Sequence, residues 1–276
     1  MTIADKVDAE AFWRDGWQIV PGVYSKEEIA QMRAEIEETK THGGDLLANP
    51  KINHVMTDGR LVQIAQKILG SDEIVYGGDS AFTVNSSQHG FHKDNVDRTD
   101  PNGPDWQNGR YTMLRFGIYL QDHHKHTGGL NLRHASHNTV SLKEGKNIYV
   151  RSKVGDVAVW SMRTSHSGNG TLLRFPPWTS PDPAHKPKHR PWQVAPKDGD
   201  RMAVFVALGL NDAHHDRYVE YLKTREYIIR IWSKSQYDPA VLEKAKQSGL
   251  TVRDVPREVA GRTDVGQNVE WKPLPY

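Results

Sequence analysis

The sequence has 276 residues, of which 37% are hydrophobic and 9% aromatic, a composition typical of a globular protein with a sizeable core. Its 36 basic residues are balanced by 34 acidic ones, so the net charge is only +2 and nothing indicates nucleic-acid binding. The chain has no cysteine, so disulfides, cysteine-bound iron–sulfur clusters and thiol nucleophiles are excluded.

The N-terminal part is predicted to be mainly helical. A first helix ends at Gly16, and a short strand follows it. Ser25 and Glu28 form an S-x-x-E capping box, which predicts the start of a second helix. The segment DGRLVQIAQKILG predicts a further amphipathic helix that ends at Gly70.

After this helical part, the sequence changes to short β-rich runs separated by clusters of Gly, Pro, Asn and Asp. These runs are EIVYGGDSAFTV, RYTMLRFGIYLQ, NIYVRSKVGDVAVWS and RMAVFVALGL. Their spacing predicts an all-β core, either a sandwich or a jelly roll.

The C-terminal part is predicted to close the fold with helices in RYVEYLKTREYIIRIW and DPAVLEKAKQSG. The polar tail 251–276 is expected to wrap the surface or to be partly mobile. We therefore predict an α+β fold in a single domain over residues 1–276, with N-terminal and C-terminal helices flanking a core at about 70–212.

The expected partner is a small molecule. No apolar run approaches the roughly 18 residues that a membrane helix needs, so no membrane partner is expected. The first residues, MTIADKVDAEAFW, lack the charged and then apolar layout of a secretory signal, which favours a soluble cytoplasmic protein. The sequence does not indicate the oligomeric state.

The stretch GFHKDN places His92 and Asp94 two residues apart. On a strand, residues i and i+2 point to the same face, so both side chains can reach one point while Lys93 faces away. His166, just beyond the run GDVAVWS, is the candidate third ligand. Two His and one carboxylate on one side of a metal form the facial triad of non-haem Fe(II) oxygenases. Taken alone, a His-x-Asp pair is expected by chance among 14 histidines.

The flanking sequence resembles, in order, the phytanoyl-CoA hydroxylase family of Fe(II)/2-oxoglutarate dioxygenases over roughly residues 9–210. The segments that carry the resemblance are FWRDGWQIVPGVYSKEEIAQMRAEI, GFHKD, GGLNLRHASH, VGDVAVWS with SHSGNG, and DRMAVFVALG. The resemblance implies a double-stranded β-helix (jelly-roll, cupin-like) core, with His92, Asp94 and His166 as iron ligands. It also implies Fe(II) as the metal and 2-oxoglutarate and O₂ as cosubstrates, and it makes His134 and His137 part of the supporting scaffold.

The same family carries an arginine downstream of the second histidine that pairs with the far carboxylate of 2-oxoglutarate, because a planar guanidinium binds a carboxylate bidentately. The resemblance nominates Arg201, which opens a strand, and Arg174 is the alternative because it is closer to His166. Arg201 is favoured, since Arg174 begins a proline-rich insertion. Asn85 and Gln88 are candidates either to hydrogen-bond the cosubstrate or to satisfy the loop backbone.

Three other groups keep more than one interpretation. His123, His124 and His126 lie together in QDHHKHTGG, where we expect a solvated loop rather than metal ligands. Trp160 either lines the site or packs in the core. Arg115 lies within a predicted strand and can face either side of it.

The insertion 172–197 contains seven prolines and many basic residues, together with Trp178 and Trp192. Connections longer than about 12–15 residues without regular structure are usually functional or disordered. We interpret the insertion as a semi-rigid lid beside the iron site that helps to bind an anionic or polar substrate. A structural or oligomer-contact role is the alternative.

These observations predict an Fe(II)/2-oxoglutarate-dependent dioxygenase that hydroxylates a small-molecule metabolite and releases succinate and CO₂. Because Asp94 is present, halogenation is disfavoured, whereas desaturation, cyclisation and endoperoxidation share the same ligands and stay open. The alternatives are a cupin-like metal enzyme that does not use 2-oxoglutarate and a non-catalytic ligand-binding β-sandwich. The sequence does not identify the substrate.

Overall fold

The computed structural model describes residues 2–86, 90–107, 109–185 and 188–268. The helices are α1 (Ala9–Asp15), α2 (Lys26–Thr39), α3 (His54–Thr57), α4 (Arg60–Leu69), α5 (Ala213–Lys223), α6 (Glu226–Trp232), α7 (Pro239–Gln247) and α8 (Val255–Val259). The strands are β1 (Trp17–Val20), β2 (Ile74–Tyr76), β3 (Ser80–Val84), β4 (Met113–Tyr119), β5 (Gly129–Arg133), β6 (Asn147–Val150), β7 (Val157–Ser161), β8 (His166–Gly170), β9 (Met202–Leu210) and β10 (Leu250–Val252).

The N-terminal helices begin and end at the predicted capping residues. Ser25 accepts a hydrogen bond from the backbone N–H of Glu28, and the Glu28 carboxylate accepts one from the backbone N–H of Ser25, so the capping box is confirmed. Gly16 and Gly70 end α1 and α4 in the left-handed conformation that favours glycine. The sequence therefore predicts both the boundaries and the type of these helices.

The strands form two sheets. The major sheet has the order β1-β7-β4-β9-β2-β10, with β3 also paired to β9, and the minor sheet has the order β6-β5-β8. All pairs in the two sheets are antiparallel except β2 with β10, which is parallel. The predicted β core is therefore formed by two sheets of unequal size.

Alternation along the central strands of the major sheet assigns its two faces. On β4, Leu114, Phe116 and Ile118 point to one face and pack with the N-terminal helices in the largest apolar cluster. The opposite face packs against the minor sheet through an apolar layer of Tyr119, Leu130, Leu132, Val150, Ala158, Trp160 and Ala203. Burying an apolar side chain of this layer, such as Leu132, contributes about 1.5–3 kcal/mol, so the layer helps to hold the two sheets together.

Several predicted runs divide where the backbone turns. EIVYGGDSAFTV forms β2 and β3, because Gly78 has a φ of +84° and carries the turn between them. NIYVRSKVGDVAVWS forms β6 and β7, with Gly155 at a φ of +92° before β7. RYVEYLKTREYIIRIW is divided between α5 and α6 because the extended backbone of Arg225 caps the second helix.

The tail is more ordered than the sequence predicts. Residues 250–252 form β10, which pairs with β2, and α8 follows with Val255 fully buried. The prediction of a surface-wrapping tail is therefore wrong for this part, because a parallel strand pair supplies its backbone hydrogen bonds. Within the part of the chain that the structure describes, no helix has the length and apolar character needed to cross a membrane.

Candidate metal centre

His92 and His166 lie directly opposite each other at the edge of the minor sheet. The backbone N–H of each donates to the carbonyl of the other, with N–O distances of 2.9 Å. Directly opposite residues of an antiparallel pair project from the same face. The two imidazole rings consequently lie side by side, with their centroids 4.2 Å apart.

Asp94 reaches the same point from the segment that carries His92. Its backbone N–H donates to the carbonyl of Met162 at 2.9 Å, which fixes the segment beside the turn between β7 and β8. Asp94 Oδ1 lies 3.8 Å from His92 Nε2, and Oδ2 lies 3.5 Å from His166 Nε2. One ligand atom from each of the three residues lies within 4.8 Å of the other two, so the structure brings the three predicted ligands together.

The hydrogen bonds made by the two imidazole rings leave one nitrogen of each ring available to a metal. His92 Nδ1 lies 3.2 Å from the carbonyl of Gly90, and His166 Nδ1 lies 3.1 Å from the carbonyl of Thr164. A carbonyl only accepts, so Nδ1 carries the proton and the Nε2 lone pair is left for a ligand.

The charge state of the three groups agrees with that arrangement. Burial, reinforced by the neighbouring His166, lowers the pKa of His92 to about 3, and burial also lowers the pKa of His166. Burial acts to raise the pKa of Asp94, but His166 and Arg115 outweigh it, so that pKa lies below its usual value. Two neutral imidazoles and a carboxylate form a donor set that suits Fe(II).

Arg115 links Asp94 to a second carboxylate. Its Nε donates to Asp94 Oδ2 at 3.1 Å, and its Nη2 lies 2.8 Å from Asp79 Oδ2. Tyr218 donates its hydroxyl proton to Asp79 Oδ2 and accepts a hydrogen bond from Arg115 Nη2. The strand position that the sequence left open therefore faces the candidate metal centre and orients one of its ligands.

The three candidate ligands open onto a cavity of about 220 Å³ between the two sheets. The side chains of the major sheet that line this cavity can be grouped into levels. Each level consists of residues that lie opposite each other on paired strands and therefore share a face. Arg115 on β4 and Trp160 on β7 form the level next to Asp94. Tyr119 and Thr83 lie two levels further along, on either side of β9. Trp160 thus belongs to both the apolar layer and the site.

Arg201 lies at the far end of this cavity, and its guanidinium carbon is 5.7 Å from the ring centre of Tyr119. Its Nε donates to the carbonyl of Gly128 at 2.7 Å, and no carboxylate in the described part of the chain pairs with the guanidinium. The hydroxyl groups of Tyr119 and Thr83 are buried and have no hydrogen-bond partner among the described residues. A cation and two hydroxyls without partners match a carboxylate.

The other sequence candidates take different places. Asn85 accepts a hydrogen bond from the backbone N–H of Arg201 at 3.0 Å and donates to Asp200 at 2.9 Å, so its side chain holds the loop before β9. Arg174 is exposed, does not line the cavity, and donates through Nε to the carbonyl of Trp192 at 2.9 Å. Gln88 lies outside the described residues.

The insertion 172–197 packs on the minor sheet. Arg133 on β5 pairs with Asp182 at 2.8 Å, and Asn131 donates to the hydroxyl of Ser180 at 3.0 Å. None of the described residues of the insertion lines the 220 Å³ cavity, although Lys197 lines a second cavity of about 200 Å³ beyond Arg201. The lid interpretation stays a prediction.

The prediction of a solvated histidine loop is wrong for His123, which is 1% exposed. Its ring packs edge-on against Tyr119 at 5.4 Å between centroids, and its Nε2 lies 2.7 Å from the side-chain amide of Gln121. The loop turns this ring inward over the strand β4, which sequence spacing does not reveal. His126 does stay nearer the surface and pairs with Asp122 at 2.9 Å.

Sequence reasoning also missed Asp79, Thr83, Tyr119 and Tyr218 as site residues. The available signal was the period-two alternation in GDSAFTV and MLRFGIY, which places Asp79, just before β3, on the same side as Thr83 of β3, and Arg115 and Tyr119 on one face of β4. For Tyr218, which contacts Asp79 across 139 positions of sequence, no such local signal exists.

No protein-family model matches the sequence, and no curated protein matches it. Among solved structures, the non-haem alpha-ketoglutarate-dependent carbocyclase SnoK from nogalamycin biosynthesis gives a TM-score of 0.51 at 17% identity, over 78% of this chain and 92% of SnoK. AviO1 from Streptomyces viridochromogenes Tue57 gives 0.52 at 18% identity, over 76% of this chain and 96% of AviO1. EctD from S. alaskensis, crystallised with 2-oxoglutarate and 5-hydroxyectoine, gives 0.52 at 17% identity, over 73% of this chain and 74% of EctD. This likeness concerns the fold, and it confirms the predicted α+β architecture with a double-stranded β-helix core.

Proposed function

We propose that this protein is an Fe(II)- and 2-oxoglutarate-dependent dioxygenase that oxidises a polar small-molecule metabolite and releases succinate and CO₂. One observation carries the proposal: a single cavity has three convergent candidate metal ligands at one end and, at the other, an arginine that has no carboxylate partner among the described residues. A metal alone would explain the first feature, but only a ligand with a distant carboxylate uses both. The sequence resemblance extends the proposal to the phytanoyl-CoA hydroxylase family.

His92, Asp94 and His166 are the proposed iron ligands, and Arg201 is the proposed partner of the far carboxylate of 2-oxoglutarate. When bound there, Fe(II) and 2-oxoglutarate would together activate O₂, which is the oxidant for the substrate. Thr83 and Tyr119 lie on either side of β9 near Arg201, where their hydroxyls can donate to the same carboxylate. Burial raises the pKa of Tyr119 to about 12, so its hydroxyl keeps its proton and acts as a donor.

The remaining lining orients the ligands and excludes water. Arg115 holds Asp94 Oδ2 through Nε, which leaves Oδ1 free of protein hydrogen bonds among the described residues. The apolar side chains of Leu130, Trp160 and Phe205 form the walls between the two polar ends. Hydroxylation is the proposed outcome. The retained carboxylate ligand disfavours halogenation.

Succinate formation tests the proposal. Purified protein is incubated with Fe(II), 2-oxoglutarate and O₂, without an added substrate, and slow succinate release is measured. We expect release that stops on removal of iron or oxygen and that is absent from His166→Ala. Matched His134→Ala protein, altered at a half-exposed histidine outside the cavity, is expected to behave as wild type. Succinate release that continues in His166→Ala would contradict the proposal, and so would its complete absence from iron-loaded wild type.

A further inference from the structure

Asp79 lines the cavity that holds the candidate metal centre, and one of its carboxylate oxygens has no hydrogen-bond partner among the described residues. Its Oδ2 accepts a hydrogen bond from Tyr218 and forms an ion pair with Arg115 Nη2 at 2.8 Å, so two contacts fix the orientation of the side chain. Its Oδ1 has no hydrogen-bond partner among the described residues. It is not among the fully buried polar atoms, and the side chain is 17% exposed. The exposed oxygen belongs to a residue that lines the cavity.

The position of Asp79 along the cavity separates it from the cosubstrate end. The backbone N–H of Ala207 donates to the carbonyl of Asp79 at 2.9 Å, and Ala207 is the β9 residue opposite Arg115. Asp79 therefore lies in the level next to the metal centre, whereas Arg201 begins β9 at the other end. With 2-oxoglutarate extended toward Arg201, the Asp79 end is the part of the cavity that stays available to a substrate.

The chemistry of this oxygen selects the substrate. A carboxylate oxygen such as Asp79 Oδ1 accepts hydrogen bonds and does not donate them. It attracts a hydroxyl or a protonated amine and repels a carboxylate or a phosphate. A site built around one hydrogen bond rejects analogues that lack the matching donor, because its own polar group is then left unpaired.

We propose that Asp79 binds a hydroxyl or amine group of the substrate through Oδ1 and holds it beside the metal centre, so that the substrate class is an alcohol or amine. This inference rests on the proposed function. It also narrows the expectation of an anionic or polar substrate that was drawn from the basic insertion. The part of the substrate that faces the candidate iron ligands would be a hydrogen-bond donor and not an anion.

A panel of matched compounds tests the inference on wild-type protein. Each pair consists of a small alcohol, polyol or primary amine and its O-methylated or N-acetylated counterpart, and succinate release above the substrate-free rate is measured for both. We expect stimulation only by uncapped members. Equal stimulation by capped and uncapped members would overturn the inference, and so would a panel in which no uncapped compound stimulates release.

Variants then test the residue. For a stimulating compound, Asp79→Asn is expected to raise KM by about 10- to 150-fold, the range for a hydrogen bond to a charged group, while KM for 2-oxoglutarate stays within about twofold. Asp216→Asn, a change at a carboxylate that is 68% exposed on α5, is the control and is expected to match wild type. An unchanged KM in Asp79→Asn would refute the assignment.

Two further outcomes, an inactive wild-type protein and a misfolded variant, can be distinguished from a failure of this inference alone. Wild-type protein that forms no iron-dependent succinate at all contradicts the proposed function, and this inference fails with it. If circular dichroism shows that Asp79→Asn does not fold, the comparison of capped and uncapped compounds on wild type decides the question by itself.

Discussion

His92 and His166 exchange both of their backbone hydrogen bonds across one antiparallel bridge, so the backbone itself places the two imidazoles on the same face. The residues are far apart in sequence, yet their geometry does not depend on a flexible loop. Each ring is further oriented by a carbonyl two residues before it, of Gly90 and Thr164 respectively. A centre held by backbone pairing is formed before any metal binds, which favours a defined ligand geometry.

We predict that Arg201→Ala weakens 2-oxoglutarate binding by about 2–5 kcal/mol, the usual effect of removing one partner of a buried charge pair. Arg201 lines the cavity and has no carboxylate partner among the described residues. Arg174→Ala is the matched control, because that side chain is exposed and lies outside the cavity. Calorimetric titration of the cosubstrate into both variants checks this. A larger loss in Arg174→Ala would reverse the assignment.

Tyr119→Phe is predicted to weaken cosubstrate binding without reducing the stability of the fold. Its buried hydroxyl has no partner in the described part of the chain, and such a group costs about 1–3 kcal/mol when left unpaired. Removing it is expected to leave the free energy of unfolding unchanged or increased, while 2-oxoglutarate binds about tenfold or more weakly. Urea unfolding and cosubstrate titration measure the two effects. Reduced stability with unchanged affinity would show that the hydroxyl has a structural role only.

Arg115→Met is predicted to destabilise the fold by about 3–5 kcal/mol, because it leaves the largely buried carboxylates of Asp94 and Asp79, each less than one-fifth exposed, without their cation. Metal affinity is expected to fall about 10- to 100-fold, since the residue orients a proposed ligand. Arg14→Met, which removes an exposed pair with Asp15, is the control and should change neither quantity. Urea unfolding and Co(II) titration provide both measurements, and an Arg115 variant with unaltered metal affinity would exclude the orienting role.

The pH dependence of stability is predicted for Asp212, which caps α5. Burial acts to raise the pKa of Asp212, but hydrogen bonds from His214 and Thr112 outweigh it and lower the pKa to about 2. A carboxyl with a depressed folded-state pKa stabilises the fold above its unfolded value, near 3.8, and this contribution is lost as the pH falls toward 2. Asp212→Ala should therefore cost about 1 kcal/mol at pH 7 and clearly less at pH 2.5. Urea unfolding at both pH values checks this, and an equal cost at both would contradict it.

Local signals in the sequence predict the parts of the fold that depend on neighbours in the chain. The capping box at Ser25, the helix ends at Gly16 and Gly70, and the long strands β4 and β9 all follow from spacing and turn chemistry. The division of EIVYGGDSAFTV into two strands does not, because it needs the φ of +84° at Gly78. Periodicity alone does not show that a run of β-forming residues contains a turn.

The candidate site, like the fold, is predictable from the sequence only where it depends on neighbours in the chain. His92 and Asp94 are recognisable because a strand places residues i and i+2 on one face. Alternation also indicates which residues share a face with Asp79 and with Tyr119, but it does not reveal their roles, which depend on strand register and on contacts made across the sheets. Tyr218 donates to Asp79 from α5, a helix that follows β9 in the chain, so only the folded chain reveals the contact. Pairings between distant segments are what the sequence leaves undetermined.

Anaerobic absorption spectroscopy tests the central claim most directly. Wild-type protein is mixed with Fe(II) and 2-oxoglutarate in the absence of oxygen, and His92→Ala and His166→Ala are treated in the same way after circular dichroism has shown that they are folded. We predict that wild type develops the weak visible charge-transfer band of a keto acid bound to iron and that neither variant does. No band in wild type, or the same band in both folded variants, would contradict the account.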